Sequence, residues 1–224
     1  MSNDRFHRWM IAIKLLTAVL IVKVTLTVAW GYRNYWPPNF NSDFLHGREG
    51  YFAGAYQWAF YAHIASGPIT LLLGLVLLND RFRLRFLRWH RVLGRIQIAT
   101  ILLLVTPGGL WMAYYAQSGP VAAASFALLA VLTGACAALG WKAAVERRFA
   151  VHRRWMWRGY VLLCSAVVLR LLGGLATVSG VQAAWFDPLA AWMCWLVPLA
   201  ALEGQAYART ATTKRMKPTA HGRT

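Results

Sequence analysis

The sequence predicts an all-α, polytopic membrane protein with six transmembrane helices, and three observations predict this fold class. Apolar residues make up 58% of the 224 residues and charged residues only 14%, whereas charged residues are about 25% of soluble domains. Six stretches are long enough for the roughly 20 apolar residues that one helix needs to cross a bilayer. None of them alternates polar and apolar residues with the period of two that membrane β-strands show.

The six predicted spans cover residues 9–31, 54–78, 92–116, 120–142, 157–178 and 184–206. The first contains Lys14 and Lys23 and lacks the small-x-small cleavage site of a signal peptide, so we expect it to be retained. The segment before the second span contains Pro37-Pro38, which ends any helix. Its many Trp and Tyr residues suit the headgroup zone of a bilayer.

The later spans carry their own local signals. Gly108-Gly109 in the third span predicts a kink or a close approach, either by another helix or by a flat cofactor. Gly119-Pro120 predicts a tight turn into the fourth span, whose Ala, Ser, Thr and Gly residues favour close packing. The fifth and sixth spans are continuous apolar runs. We therefore expect one domain over residues 1–208, with a core of the second to fifth spans, and a basic, disordered tail over residues 209–224.

The net charge of +17 indicates membrane orientation rather than nucleic-acid binding. Most of the 24 Lys and Arg residues fall on one side of the predicted spans, namely Arg5, Arg8, Arg81, Arg83, Arg85, Arg88, Arg91, Arg95, Lys142, Arg147, Arg148, Arg153, Arg154, Arg158, Arg209, Lys214, Arg215, Lys217 and Arg223. The opposite side has Arg33 and Arg48. Because basic flanks stay in the cytoplasm, we expect both termini inside. The expected partner is the lipid bilayer, without nucleic acid.

Three basic or potentially basic side chains share one layer in the outer half of the predicted bundle. With a rise of about 1.5 Å per residue, His63, Arg170 and Lys23 each lie about 12 Å from the outer end of their span. No Asp or Glu lies in a span at that depth. A haem propionate, a quinone carbonyl or an acidic substrate would supply the missing negative partner. The alternatives are that Lys23 snorkels outward, that Arg170 bonds to helix carbonyls, and that His63 is a neutral core residue.

A second layer of candidate residues lies at the predicted cytoplasmic ends of the helices. His90 and His152 precede the third and fifth spans, and Glu203 lies near the inner end of the sixth. Two facing imidazoles could bind the iron of haem b as axial ligands, with nearby Arg residues neutralising the propionates. Two His and one carboxylate could instead hold a divalent metal. The plain alternative is that both histidines are ordinary interfacial residues.

Five motifs occur in the order typical of a family of predicted bacterial membrane proteins, domain of unknown function 2306. They are HIASGPITLLLG (63–74), RWHRVLGRI (88–96), HRRWMWRGY (152–160), LRLL (169–172) and WMCWLVPLAALE (192–203). The resemblance covers residues 55–205 and implies a multi-pass protein of the bacterial cytoplasmic (inner) membrane. It implies no activity.

A more distant resemblance is to the two-haem b-type transmembrane cytochromes. It rests on His90 at the start of a span followed by Gly94, and it implies a four-helix core with one bis-histidine haem in each leaflet. This sequence departs from that pattern, because His63 has no intramembrane histidine partner at its own depth. One haem site, through His90 and His152, is the most that the resemblance implies.

Two functions remain open from the sequence. One is membrane electron transfer, with haem b at His90 and His152 or a quinone near His63 and Arg170, and hence with a redox partner. The other is a non-redox small transporter or accessory membrane subunit in which His63 and Arg170 line a polar cavity. A metal-dependent enzyme built on His90, His152 and Glu203 is a third hypothesis, so the sequence does not decide whether the protein is an enzyme.

Overall fold

The computed structural model describes residues 2–42, 44–181 and 183–215. In chain order its α-helices are α1 (Ser2–Gly31), α2 (Glu49–Phe52), α3 (Ala55–Leu77), α4 (Asp80–Arg85), α5 (Leu87–Thr100), α6 (Thr106–Tyr114), α7 (Gly119–Val145), α8 (Phe149–Leu163), α9 (Ser165–Val178) and α10 (Phe186–Arg215). A 3₁₀ turn at Tyr32–Tyr35 extends α1, and a π-helical turn at Ile101–Val105 joins α5 to α6. No strand occurs in these residues.

The predicted fold class is confirmed. Within the described chain, six helical stretches are long and apolar enough to cross a membrane: Arg8–Tyr35, Ala55–Leu77, Leu87–Tyr114, Gly119–Val145, Phe149–Val178 and Phe186–Ala208. Two spans begin earlier than predicted, the third at residue 87 and the fifth at residue 149. The prediction started both after their arginines, but long Arg side chains can lie along a helix and place their charge in water. The Arg-rich segments are therefore the first turns of these helices.

The last helix also extends beyond its predicted end. It continues to Arg215, whereas the predicted domain ends at residue 208. Residues 216–224 of the predicted tail lie outside the described residues.

One end of the bundle carries the arginines of the α3–α5 and α7–α8 connections, and we call it the basic face. Two short connections are held together there by Asp80, which accepts a hydrogen bond from Arg153 at 2.8 Å and another from Arg83 at 3.2 Å. Desolvation opposes ionisation of this carboxyl group, but the charges and hydrogen bonds of the two arginines keep the pKa of Asp80 below its usual value. The ion pair with Arg153 therefore ties α4 to α8, whereas the pair with Arg83 lies within α4.

Asp80→Asn tests this contact. The lowered pKa means that ionised Asp80 stabilises the fold above its unfolded-state pKa and that this contribution is lost as pH falls through the folded-state pKa. The pair is half exposed and worth at most about 1 kcal/mol. We expect the variant to melt about 1–3 °C lower at pH 7. The difference should vanish on acidification and shrink in high salt. An unchanged difference at low pH would contradict the assignment.

The opposite end of the bundle is closed by an aromatic cap built from the segment between α1 and α3. Leu45, Phe52, Tyr56 and Phe60 form a buried cluster, against which further aromatic rings pack. The sequence analysis placed the aromatic residues of this segment at the lipid headgroups. Several instead pack on one another and on the ends of α3 and α6, because each ring buries a large apolar surface against its neighbours. The cap forms the outer boundary of the site described next.

The small residues of α7 allow close helix packing, as the sequence predicted. Ala122, Ser125 and Ala137 are buried on this helix, and the Ser125 hydroxyl donates to the Ala191 carbonyl of α10 at 2.7 Å. The Trp195 indole N–H in turn donates to the Ser125 oxygen at 2.9 Å. Polar side chains thus link helices that have no hydrophobic driving force to associate within lipid.

Candidate functional site: a cavity within the bundle

A cavity of about 800 Å³ lies within the bundle, bounded mainly by α1, α3, α6, α7 and α9. This volume lies within the roughly 300–1,000 Å³ typical of small-molecule sites. Its outer end, beneath the aromatic cap, includes Arg48 and Gln117, and its deep end is apolar, with Leu71, Leu162 and Leu163. Along α3 the lining runs from Phe60 to Leu71, about 16 Å of helix. The site is therefore elongated, with polar groups at its outer end.

His63 lies on α3, lines this cavity and packs against the start of α6. Its Nδ1 lies 3.1 Å from the carbonyl oxygen of Val105. Because a carbonyl oxygen can only accept, Nδ1 carries the hydrogen, and in the neutral ring Nε2 is then an acceptor. The imidazole is thus fixed in orientation with one nitrogen available to a ligand.

The carbonyl that holds His63 belongs to the π-helical turn. The N–H of Thr106 bonds back to the Ile101 carbonyl, five residues earlier. Pro107 follows within the first turn of α6 and has no N–H to donate, which favours such a local departure from α-helical bonding. π-turns are often found at functional sites. Here the turn presents the Val105 carbonyl to His63.

Gly108 and Gly109 allow α6 to approach α3 at the same point. A Cβ atom on Gly108 would lie 2.9 Å from the Ala59 carbonyl oxygen, and one on Gly109 would lie 3.3 Å from Cε1 of His63. Of the two possibilities left by the sequence, a kink or a close approach, the structure therefore has the close approach, and the approaching group is the helix that carries His63.

Gly109→Ala tests the positioning of His63. The added methyl group presses on the imidazole and turns Nε2 away from its present direction. We expect about a tenfold weaker affinity for a ligand that bonds to His63, equivalent to the loss of one hydrogen bond. Gly173→Ala is the matched control, because its Cβ would have no neighbour within 4 Å. Equal affinities of the two variants, measured by the competition assay described below, would contradict this role.

Arg170 is the cationic group on the α9 side of the cavity. Its Nη1 donates to the Ala166 carbonyl at 3.1 Å, one turn earlier on its own helix. Among the described residues no carboxylate lies within ion-pair distance of it. Its charge acts on both Tyr32 and His63, which line the same cavity. The structure therefore brings His63 and Arg170, predicted to share a depth, to one site.

Lys23, the third basic group of the predicted layer, lies elsewhere. Its side chain is exposed on α1, while its neighbours Val24 and Thr25 line the cavity. This arrangement matches the snorkelling alternative for Lys23. The cavity thus contains one cation at this depth rather than two.

Arg48 adds a second guanidinium at the outer end of the cavity. It is only 5% exposed, and it donates to the Phe44 carbonyl, the Tyr51 hydroxyl and the Tyr115 carbonyl at 2.6, 2.9 and 3.0 Å. These bonds join the aromatic cap to the end of α6. Arg48 therefore holds the cap in place while contributing positive potential to the mouth of the cavity.

The predicted inner layer of His90, His152 and Glu203 is only partly assembled. His90 and His152 are close enough for their charges to interact. Glu203, by contrast, accepts two hydrogen bonds from Arg158, at 2.6 and 2.9 Å. Among the described residues, no group of three or more His, Cys, Asp or Glu is placed to hold a metal ion. In this structure Glu203 is thus paired with Arg158 rather than grouped with the two histidines, and metal binding by the three residues remains a prediction.

The two histidines differ in their hydrogen bonding. His152 Nδ1 lies 2.9 Å from the Gly140 carbonyl oxygen and donates to it, leaving Nε2 available. His90 Nδ1 is buried and has no hydrogen-bond partner in the described chain. An imidazole fixed through Nδ1 is the usual state of a ligating histidine. Binding of haem b by this pair remains a prediction.

Two residues of the polar interior were not predicted from the sequence. Arg48 was expected only as a charge on the outer side, although its position among aromatic residues is a signal for burial. Gln97 carries no charge and so does not stand out among the ionisable residues at membrane depth. It is 6% exposed, and its Nε2 donates to the Thr70 carbonyl at 2.9 Å. An amide within RVLGRIQIATILLLV is itself a signal, since buried polar groups in lipid need partners.

Comparisons with known proteins agree with the membrane fold. The family described as "Predicted membrane protein (DUF2306)" matches residues 60–203. This match includes His63, the Gly108-Gly109 pair, Arg170 and Glu203, but not α1 or most of the aromatic cap. No curated protein and no solved structure matches the chain. The matched region covers well over half of the sequence, and the chain therefore belongs to the DUF2306 family of predicted membrane proteins.

Proposed function

We propose that this integral membrane protein binds a small amphiphilic acid in its cavity and acts as a non-redox carrier or accessory subunit for it. The observation that carries the proposal is Arg170, a cation at membrane depth that lines an apolar cavity without a carboxylate partner in the described chain. Arg170 is exposed in the described chain, and an unpaired charge at membrane depth is costly. A ligand carboxylate would neutralise it and accept its hydrogen bonds.

His63 supports the same ligand chemistry. The neutral ring has Nε2 free to accept a hydrogen bond, and Arg170 can only donate. A carboxylic acid group has both an O–H donor and a carbonyl acceptor, so it complements this pair in its protonated form. When ionised, it complements Arg170 alone.

The shape of the cavity supports an apolar tail on the ligand. The polar groups lie in the outer part, whereas the deep end is lined by leucines. An acyl chain would replace lipid contacts with protein contacts there, and the acid group would remain beside Arg170. Ligands of this kind bind by shape and orientation, with few polar contacts.

Competition binding tests the proposal. The protein in nanodiscs would be loaded with the fluorescent lipophilic acid cis-parinarate, which is then displaced with dodecanoate or with dodecanol. The two competitors share the same chain and differ in the head group. Dodecanoate should displace the probe with at least about tenfold higher affinity. Equal displacement by both would overturn recognition of the acid.

A quinone is the second candidate ligand, because Arg170 could donate to a quinone carbonyl and His63 could accept from a quinol hydroxyl. This would make the protein a redox component. Organic extraction of the purified protein, followed by mass spectrometry, decides between the two. If the wild-type protein contains stoichiometric quinone and Arg170→Met does not, the redox function is supported. If the wild-type protein contains no quinone, the lipophilic acid is the supported ligand. A Soret band dependent on His90 and His152 would indicate haem b.

We further propose that the basic face lies in the cytoplasm, with both termini inside the bacterial inner membrane. The support is the concentration of arginines at that end of the bundle. A C-terminal fusion to green fluorescent protein should be fluorescent, and a C-terminal fusion to alkaline phosphatase should be inactive. The reverse result would contradict this orientation.

A further inference from the structure

One face of α5 runs from the basic face towards the cavity and carries His90, Gly94 and Gln97. The spacings of four and three residues place these positions on the same side of a helix. His90 and Gln97 are therefore about 10 Å apart along the axis. Gln97 in turn bonds to the carbonyl of Thr70, a residue that lines the cavity. This face thus leads from the basic face to the deep end of the cavity.

Buried polar atoms without a protein partner occur on this face of α5 and on the helices around the cavity. In the described chain they include Nδ1 of His90, Oε1 of Gln97, Oγ1 of Thr106 and Oγ1 of Thr25. Thr25 lines the cavity, and Thr106 follows Val105, which also lines it. Buried polar groups that lack a protein partner are commonly satisfied by ordered water. Within lipid the need for such a partner is greater.

There is also space on this face of α5. A Cβ atom on Gly94, which lies between His90 and Gln97, would have no neighbour within 4 Å. From Thr70, the partner of Gln97, the cavity lining continues to His63, seven residues earlier on α3. Exposed Gln117 belongs to the lining at the outer end. Polar groups therefore occur at intervals between the basic face and the outer end of the cavity.

We propose that water held along this face of α5 carries protons between the basic face and the cavity, by way of His90 and Gln97 to His63. A proton from water at the basic face is passed along hydrogen-bonded waters, each of which accepts one proton and releases another. Gln97 orients the chain by donating through Nε2 and accepting through Oε1. The proton reaches Nε2 of His63 and leaves to water at the outer end or to a bound carboxylate.

The charged neighbours set conditions on this transfer. His152 and Arg83 act on His90, and Arg170 acts on His63. Arg83 beside His90 and Arg170 beside His63 disfavour a resting positive charge on either imidazole. The proton is accordingly passed on rather than retained. The pathway does not depend on the identity of the ligand.

Proton flux into liposomes tests this inference without any added ligand. The protein is reconstituted with internal pyranine as the pH indicator, valinomycin and potassium clamp the membrane potential, and the external medium is acidified. Gln97→Leu removes both hydrogen-bonding groups. Gln57→Leu makes the same change at the outer end of α3, away from the route. We expect the rate of internal acidification in Gln97→Leu to fall at least about tenfold, with Gln57→Leu like the wild type.

A second variant tests the same pathway if Gln97→Leu fails to fold. Gly94→Leu fills the space beside α5 while leaving the bond between Gln97 and Thr70 intact, and it should slow the flux to the same extent. Wild-type liposomes that acidify no faster than protein-free ones would overturn the pathway. So would equal rates in wild type and Gly94→Leu. Neither outcome affects the ligand proposal, which the displacement of cis-parinarate tests separately.

Discussion

Arg170→Met should weaken dodecanoate binding about a hundredfold while leaving the weak binding of dodecanol nearly unchanged. The side chain of Met retains much of the apolar volume of Arg but removes the charge and the hydrogen-bond donors. Only the ligand with an acid group loses a partner. The measurement is the displacement of cis-parinarate from the protein in nanodiscs.

Lys23→Met is the matched control for this prediction. It removes a cation at similar membrane depth, but from the exposed side of α1 rather than from the cavity lining. Its affinity for dodecanoate should equal that of the wild type. Arg170→Lys keeps a point charge without the planar guanidinium. Its affinity for dodecanoate should lie between that of the wild type and that of Arg170→Met. If Lys23→Met loses as much affinity as Arg170→Met, the effect comes from general membrane charge and the site assignment fails.

Gly74→Ala should lower the melting temperature of the protein by about 5–10 °C, since overpacking of this kind costs about 1–3 kcal/mol. A Cβ atom at this position would clash with two ring carbons of Tyr160. The ring cannot easily move away, because it is buried and its hydroxyl donates to the Leu71 carbonyl at 3.2 Å. The substitution therefore forces α3 and α8 apart.

Gly173→Ala is the control, in the interior of α9. Its Cβ would have no neighbour within 4 Å, and alanine is the better helix former by about 1 kcal/mol. Thermal unfolding in detergent should show Gly173→Ala at or slightly above the wild-type midpoint. If both variants have the same melting temperature, the close contact between α3 and Tyr160 is not what limits stability.

The fold followed from the sequence because its signal is local and strong. Each span needs only a sufficient run of apolar residues, and six such runs were visible. Their ends were less predictable. Arg88 and Arg91 looked like a connection because of their charge, yet they lie in the first turns of α5, since the end of an Arg side chain can reach water while its backbone remains helical.

The outer site was predictable only in depth. Counting residues along the spans placed His63 and Arg170 in one layer, but depth does not reveal which way a side chain faces. Lys23 shows the difference, because it has the same depth and lies outside the cavity lining. The rotation of each helix is set by packing between distant segments, such as Gly108 against Ala59. Such contacts join residues that are far apart along the chain, so they cannot be predicted from a single sequence.

The inner layer shows the same limit in a different way. Glu203 has the depth of His90 and His152, which made a shared metal site a reasonable hypothesis. Its partner is instead Arg158, which lies 45 residues away in sequence and binds both carboxylate oxygens. A basic residue near a carboxylate competes with a metal ion for it. The sequence offered no means of ranking these partners.

Photolabelling with a dodecanoate analogue that carries a diazirine at the end of its chain locates the bound acyl chain in the protein. After irradiation of the protein in nanodiscs, mass spectrometry of its peptides identifies the labelled residues. We expect labels near the deep end of the cavity, around Leu71 and Leu162. Excess dodecanoate should suppress them, dodecanol should not, and Arg170→Met should lack them. Labels confined to the lipid-exposed side of α1, and unchanged in Arg170→Met, would contradict binding in the cavity.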